Sequence, residues 1–343
     1  MGTYKGIQGE SVETLSSDPT PTQAHVGKLW YNSTSGAFKI ATEGAGAWAA
    51  GTNYPNGSQF GGSAGTSQTA ALAWQGDSDL NPTPGGMKAA FSYDGSTWTQ
   101  TPTMNRDAGS YTFGAGTSTT ALAGSYYKTP GAANKASTEE YNGTAWATGN
   151  DLTDDQALRN GCGTQTAALT AGGRTITAPA GPITGYVEHY DGTTWTESTA
   201  LTTARIGIGA HNGTQTASLA ICGATNPGSV SVTNVESWNG TSWTAGTVVN
   251  TSRYLGGASG TSTLALTYGG KASGTYTANT ESWNGTSWTE VANLTTGRGN
   301  SGSAGTTNTD AILISGSSAA EEYNASVEEW TSPVYTVKTV TVS

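Results

Sequence analysis

An aromatic pair separated by a turn recurs through this chain. Tyr93-Asp94-Gly95-Ser96-Thr97-Trp98 returns as Tyr141-Asn142-Gly143-Thr144-Ala145-Trp146 and as Tyr190-Asp191-Gly192-Thr193-Thr194-Trp195. It returns again as Trp238-Asn239-Gly240-Thr241-Ser242-Trp243 and Trp283-Asn284-Gly285-Thr286-Ser287-Trp288, so that the second aromatic comes back every 45–49 residues. A period of that length, with a hairpin signal in each copy, predicts an array of small β-units that bury their faces against one another. Only 34% of the residues are hydrophobic and 11% charged, a composition that would read as disorder without the repeat. Eleven Trp and fifteen Tyr supply the buried area that Leu and Ile supply elsewhere.

A second signature runs in phase with the first. Gly65-Thr66, Gly116-Thr117, Gly163-Thr164, Gly213-Thr214, Gly260-Thr261 and Gly305-Thr306 each precede a run of small or apolar residues, at 69–74, 120–124, 166–171, 216–222, 263–268 and 309–314. Six copies predict six units. One unit reads in full: 205–211 as a first strand, Asn212-Gly213-Thr214 as a turn, 216–222 as a second strand and 224–231 as a loop. Residues 234–238 make a third strand, Asn239-Gly240 turns the chain, and a fourth strand begins at 242. A two-residue turn would pair Trp238 with Thr241, and a four-residue turn would set Trp238 opposite Trp243. Both registers leave the two rings on one face. Four antiparallel strands per unit of this length predict a propeller blade.

The Gly-rich second strand, the Tyr or Trp of strand three and the Trp of strand four resemble the kelch repeat over about residues 48–338. Arg205, Arg253 and Arg298, ten residues after a Trp, add to the likeness. Arg106 and Arg159 sit at shifted offsets, and Ser58 holds the position in the first unit. The kelch double glycine survives at Ala171-Gly172-Gly173 and Tyr268-Gly269-Gly270 alone. The resemblance implies an all-β, six-bladed kelch-like β-propeller of four-stranded antiparallel blades with a short N-terminal arm or hairpin. Trp48 is a fourth-strand tryptophan with no unit before it, and residues 48–62 match 243–257 in spacing. In the last unit Trp330 lacks its Asn-Gly, and Tyr335 stands where the final Trp is due. The Trp48 strand is therefore expected to close the ring beside the C-terminal strands. A seventh partial blade from 28–48 is the alternative.

Residues 1–27 are polar, with Asp18-Pro19-Thr20-Pro21 as a stiff linker, and read as an attachment arm. Residues 28–343 read as the propeller with its ring-closing N- and C-terminal strands. The stretch Gly27-Lys28-Leu29-Trp30-Tyr31-Asn32-Ser33-Thr34-Ser35-Gly36, a hairpin pattern, resembles segments of tail- and fibre-associated proteins of marine bacteriophages. The Trp-Asn-Gly-Thr-Ser-Trp-Thr-Glu stretch at 283–290 resembles repeats of other marine phage proteins. The resemblance implies a virion protein made in the host cytoplasm. It would have other virion proteins as partners of the arm and a host surface glycan or protein as partner of the propeller. Homo-oligomerisation is left open.

The net charge of −10 argues against nucleic acid as a partner. The chain has no apolar run long enough for a membrane span. Its opening, Met1-Gly2-Thr3-Tyr4-Lys5-Gly6, lacks the apolar core of a signal peptide. Cys162 and Cys222 have no metal-binding spacing and read as buried free thiols. His25, His189 and His211 form no pair beside either cysteine, which argues against the copper site of kelch-like oxidases. The turn at 191–195 has the form of a sialidase Asp box. Three other repeats carry Asn in place of Asp191, so it reads as a turn. The same turns explain the sequons at Asn142, Asn239 and Asn284. Asp77, Asp79 and Asn81 alternate as calcium ligands do but lack the Gly and distal Glu of an EF-hand, so Ca²⁺ is an option and no cofactor is required. Glu139, Glu140, Glu188, Glu236, Glu281, Glu328 and Glu329 recur in strand three, as structural residues do.

The loops between strands two and three differ in every unit, at 75–88, 126–136, 174–184, 226–232, 271–278 and 317–324. Divergent loops on a repeated scaffold are where recognition is expected. Tyr126, Tyr127, Lys128, Arg174, Tyr276 and Tyr323, with Trp74 just before the first loop, are the candidate ligand-binding residues. The expectation is a non-enzymatic virion protein of the tail-fibre or adhesin kind. The alternatives are a purely architectural capsid or tail decoration protein, and a glycan-active or oxidative enzyme on the same fold.

Overall fold

A computed structural model of the protein describes residues 12–44, 46–74, 76–77, 88–106, 110, 112–125, 136–175, 181–209, 213–225, 230–333 and 335–341. Contacts divide the chain into two compact units, Met1–Gly46 with Ser332–Ser343, and Ala47–Thr331. The sequence had suggested a boundary after residue 27. The hairpin that follows lies in the smaller unit instead.

In that smaller unit the hairpin forms as read, with Leu29 opposite Ile40 and Asn32 opposite Ala37. Glu13–Leu15 adds to one edge in parallel, and Tyr335–Thr339 adds to the other antiparallel. Tyr335 therefore pairs with Glu43 and does not complete the last propeller repeat. Trp30 Nε1 and Asn32 Nδ2 both donate to Asp18 Oδ1, at 3.0 and 2.7 Å, which ties the Asp-Pro segment to the hairpin.

The larger unit holds six four-stranded antiparallel sheets among the described residues. Blade one is Gly62–Ser67, Ala70–Trp74, Ala90–Tyr93 and Trp98–Gln100. Blades two to five follow in chain order, beginning at Phe113–Gly116, Asn160–Thr164, Gly213–Thr214 and Gly257–Gly260. The last blade is Gly302–Thr307, Asp310–Ile314 and Val327–Thr331, with Ala47–Ala50 as its outer strand. Trp48 lies opposite Trp330, as the spacing of 48–62 predicted.

The four-residue turn is the register used throughout, with Tyr93, Tyr141, Tyr190, Trp238 and Trp283 directly opposite the following Trp. The Asn or Asp side chain decides it. Asn239 Oδ1 accepts from the N–H groups of Thr241 and Ser242 at 3.0 and 2.9 Å, and Asp191 Oδ1 does the same with Thr193 and Thr194 at 2.8 and 2.7 Å. Such a side-chain cap needs four residues between the strands. The paired rings then lie 4.6–5.5 Å apart, stacked or tilted.

Inner strands are small because neighbouring blades crowd there. A Cβ at Gly114 would stand 2.0 Å from Ser63 O in blade one. Glutamines stitch blades together: Gln165 Nε2 donates to Ala121 O and Tyr141 O in blade two, and Gln215 Nε2 donates to Ala168 O and Tyr190 O in blade three. The ring meets itself where Ser303 N–H donates to Ser63 Oγ at 2.8 Å and Ser63 Oγ donates to Ser303 O at 2.9 Å.

The connectors entering the inner strands form a second girdle. Phe60, Leu158, Gly207, Leu255 and Asn300 hold φ of 57–60°. Their amides donate from blade to blade: Phe60 to Asn300 O, Asn300 to Leu255 O, Leu255 to Gly207 O and Gly207 to Leu158 O, at 2.7–3.3 Å. Left-handed backbone at Phe and Leu is uncommon, with a cost of about 1–3 kcal/mol where it occurs. Here it aims successive amides along the ring.

Candidate functional site

The connectors and the divergent loops share one rim of the larger unit. Each described loop base pairs with the connector of its own blade: Asp77 with Gln59, Arg174 with Ala157, Ala224 with Ile206, Lys271 with Tyr254, and Ser317 with Gly299. The backbone bend at the loop base takes two successive residues of positive φ. Gly172-Gly173 and Gly269-Gly270 adopt it, with φ of 71° and 116°, and 63° and 92°. Cys222-Gly223 (58°, 110°) and Ser315-Gly316 (59°, 111°) adopt it without the first glycine.

Beneath the rim, a carboxylate and an arginine repeat. Glu188, Glu236, Glu281 and Glu328 pair with Arg159, Arg205, Arg253 and Arg298, and all eight side chains are at most 3% exposed. Each carboxylate also accepts hydrogen bonds from the strand-four-to-one connector. Glu236 takes Thr202 N–H at 2.7 Å, Thr202 Oγ1 at 2.6 Å and Thr203 N–H at 3.2 Å. Glu281 takes Asn250 N–H, Asn250 Nδ2 and Thr251 N–H at 2.7–3.1 Å. In blade two, Glu139 accepts the amides of Asn105 and Arg106 at 2.8 and 2.9 Å. Arg205 spends its remaining donors on Cys222 O, Asn234 O and Thr203 O. Blade one replaces both partners: Phe91 sits at the Glu register and Ser58 at the Arg position, with Tyr54 packed on Phe91 at 5.4 Å. Neither change strands a buried charge.

The candidate binding residues separate. Trp74 leaves the rim: it is 1% exposed, donates Nε1 to Thr112 Oγ1 at 3.2 Å and packs edge-on against Trp146. It is a core residue between blades one and two. Its room comes from Gly62 and Gly114, where a Cβ would fall 2.3 and 2.6 Å from the indole. Arg174 and Tyr323 are half-buried at two loops. Tyr276 is half-buried on a short hairpin, Lys271–Ala272 against Thr275–Tyr276, turned at Ser273-Gly274, and Lys271 Nζ stands 4.5 Å over its ring. Tyr126, Tyr127 and Lys128 lie outside the described residues. So do Asp79 and Asn81 of the calcium reading, while Asp77 is held at the loop base by a backbone pair with Gln59 at 2.8 Å each way.

His25 closes a short 3-10 turn and bonds to Thr22, and His189 lies in strand three 5.4 Å from Trp238. His211 is outside the described residues. Among the described residues, no three His, Cys, Asp or Glu side chains converge as a metal set would. Cys162 and Cys222 are buried, and burial pushes both thiols up to about 12. Both are therefore expected to resist a thiol reagent at pH 8 in the folded protein and to react at once in denaturant. Rapid labelling of either in the native state would contradict their placement.

No protein-family model and no curated protein sequence matches the chain. Among solved structures, that of YjhT superposes with a TM-score of 0.64 at 13% identity, covering 84% of this chain and 99% of that one. A likeness at that identity speaks for the propeller fold.

Proposed function

We propose that this chain is a non-enzymatic binding protein, a virion component of the tail-fibre or adhesin kind, that engages a surface glycan or protein through its loop rim. The observation that carries this reading is the contrast between the two rims. Turns between strands three and four repeat the same side-chain cap from blade to blade, whereas the loops between strands two and three change in length and sequence above bases that, in five blades, pair with the blade's own connector. Rigid scaffolds that diverge at one rim concentrate recognition there. The recurrent strand-three carboxylates support it further, because Glu139, Glu188, Glu236, Glu281 and Glu328 are each occupied in holding a connector and Glu140 and Glu329 accept from the Tyr190 and Tyr93 hydroxyls. The Gly27–Gly36 likeness to phage tail proteins supports the virion setting, with the smaller unit as the attachment element.

Purified protein tested against an array of bacterial surface polysaccharides, with and without Ca²⁺, checks the proposal. Saturable binding is expected, with a loss of roughly tenfold or more in a Tyr126→Ala/Tyr127→Ala variant or in Tyr276→Ala, as for an aromatic anchor. Folded, monodisperse protein that binds nothing would leave the architectural role. Turnover of a polysaccharide would turn the reading to an enzyme.

A further inference from the structure

Asn142, Asn239 and Asn284 hold an arrangement whose chemistry goes beyond capping a turn. Each is exposed and followed by a glycine, and Gly143, Gly240 and Gly285 take φ of 91°, 95° and 93°. Asn142 Oδ1 accepts Thr144 N–H, Ala145 N–H and Thr144 Oγ1 at 3.0, 2.9 and 2.9 Å. The equivalent donors converge on Asn239 Oδ1 and on Asn284 Oδ1 at 2.8–3.0 Å. The glycine amide next to each asparagine is not one of them and has no hydrogen-bond partner among the described residues.

An asparagine followed by glycine can react with its own backbone. The glycine N–H gives its proton to water or hydroxide, and the nitrogen bonds to Asn Cγ. Negative charge then gathers on Oδ1. Loss of Nδ2 as ammonia closes a succinimide ring. Water opens the ring at Cγ to give aspartate, or at the former peptide carbonyl to give isoaspartate, whose backbone is one carbon longer. Glycine obstructs the attack least because it has no Cβ. Backbone donors aimed where charge develops stabilise an oxyanion in acyl transfer. In these turns two amides and a hydroxyl already stand at Oδ1.

Two other blades show the product in place. Asp94 Oδ1 accepts Ser96 N–H and Thr97 N–H at 2.9 and 2.7 Å, and Asp191 Oδ1 accepts Thr193 N–H and Thr194 N–H at 2.8 and 2.7 Å. Their glycines, Gly95 and Gly192, take φ of 93° and 91°. The amides, Thr97 first and Thr194 first, hold the two carboxyls below the usual carboxylate range. Hydrogen bonds to an ionised acceptor are the stronger kind, so aspartate caps this turn at least as well as asparagine.

We infer that Asn142, Asn239 and Asn284 are self-processing sites, at which the turn promotes attack of the glycine nitrogen on Asn Cγ and accepts the aspartate that results. The reaction needs water alone as co-reactant and is independent of any ligand at the divergent loops.

The chain carries its own controls. Asn56-Gly57 and Asn160-Gly161 have the same dipeptide, but Asn56 Oδ1 and Asn160 Oδ1 accept no hydrogen bond among the described residues. Full-length protein held folded at neutral pH, beside a sample in urea, is followed by peptide mass spectrometry, in which each conversion adds one mass unit. In the folded protein the three turn asparagines should convert roughly tenfold or more faster than Asn56 and Asn160, whereas in urea all should convert at similar rates. Turn asparagines that react no faster than Asn56 when folded, or more slowly folded than in urea, overturn the inference. The Asn142→Asp/Asn239→Asp/Asn284→Asp protein should melt no lower than wild type. A lower melting temperature would show that the turns do not accept the product.

Discussion

Glu236→Ala should lower the stability of this protein by about 3–5 kcal/mol, the cost of leaving a buried cation without its partner. Arg205 is 0% exposed, and its Nη2 has Glu236 Oε1 at 2.7 Å. The variant would also orphan the amides of Thr202 and Thr203, which both end on the same carboxylate. The midpoint of a urea transition measures the effect, provided that the slope is unchanged. A loss below about 1 kcal/mol would mean that water reaches the guanidinium and that the pair behaves as an exposed one. Glu236→Gln should lie between, since its amide oxygen still accepts a connector N–H. Arg205→Met with Glu236→Leu should not recover wild-type stability, although it removes both charges. Arg205 also caps Cys222 O, which would be left bare, and is the second donor to Asn234 O beside Cys222 N–H. Blade one shows what a full replacement requires: Phe91, Tyr54 and Ser58 change together, and Ser58 exchanges hydrogen bonds with Ser315.

Trp74→Ala should cost about 3–5 kcal/mol, as removal of a large buried aromatic does. The indole fills space that Gly62 and Gly114 leave for it, so the surroundings have little to collapse with. The opposite fault comes from Gly62→Ala, whose Cβ would fall 2.3 Å from Trp74 Nε1. Overpacking of that kind costs about 1–3 kcal/mol. The two substitutions should couple: in the Trp74→Ala background, Gly62→Ala has nothing to strike and should cost far less. Additive losses would show that the indole and the glycine do not meet. Calorimetric melting of the four proteins settles it. Should a rim ligand be found, its affinity for the folded Trp74→Ala protein should equal that of wild type.

The repeat told most of the fold because aromatic spacing, turn residues and strand length repeat together. Trp48 found its place opposite Trp330 through spacing alone. Turn length stayed open, since both registers put Trp238 and Trp243 on one face; the side-chain cap of Asn239 is what selects four residues. Trp74 was misplaced because it ends strand two beside a divergent loop, its counterparts range from Gly124 and Ala171 to Ile221, Tyr268 and Ile314, and the glycines that make room for it lie on other strands. Size complementarity across strands leaves no local trace. Arg159 was equally hidden: a three-residue shift looks like a lost motif, yet the side chain returns to the same carboxylate. The double glycine looked lost in most blades because only its second position needs a residue without Cβ, and Cys222 and Ser315 tolerate the first.

The outer strand of the last blade has a consequence for how the chain folds. Ala47–Ala50 emerges from the ribosome before any other strand of the ring, and its partner Val327–Thr331 emerges after all the rest. Until then Trp48 lacks Trp330, and Tyr268 and Thr280, which it touches in the finished ring, are also late to appear. Blades one to five can form hairpin by hairpin during synthesis, but the seam closes at the greatest sequence separation the ring contains. Bringing distant segments together is slow, although each doubling of the loop adds only about 0.6 kcal/mol to the closure cost. The nascent protein therefore holds Ala47–Ala50 without its partner strand until Val327–Thr331 has been made. Closing that seam, and not building any one blade, sets the time at which the ring becomes whole.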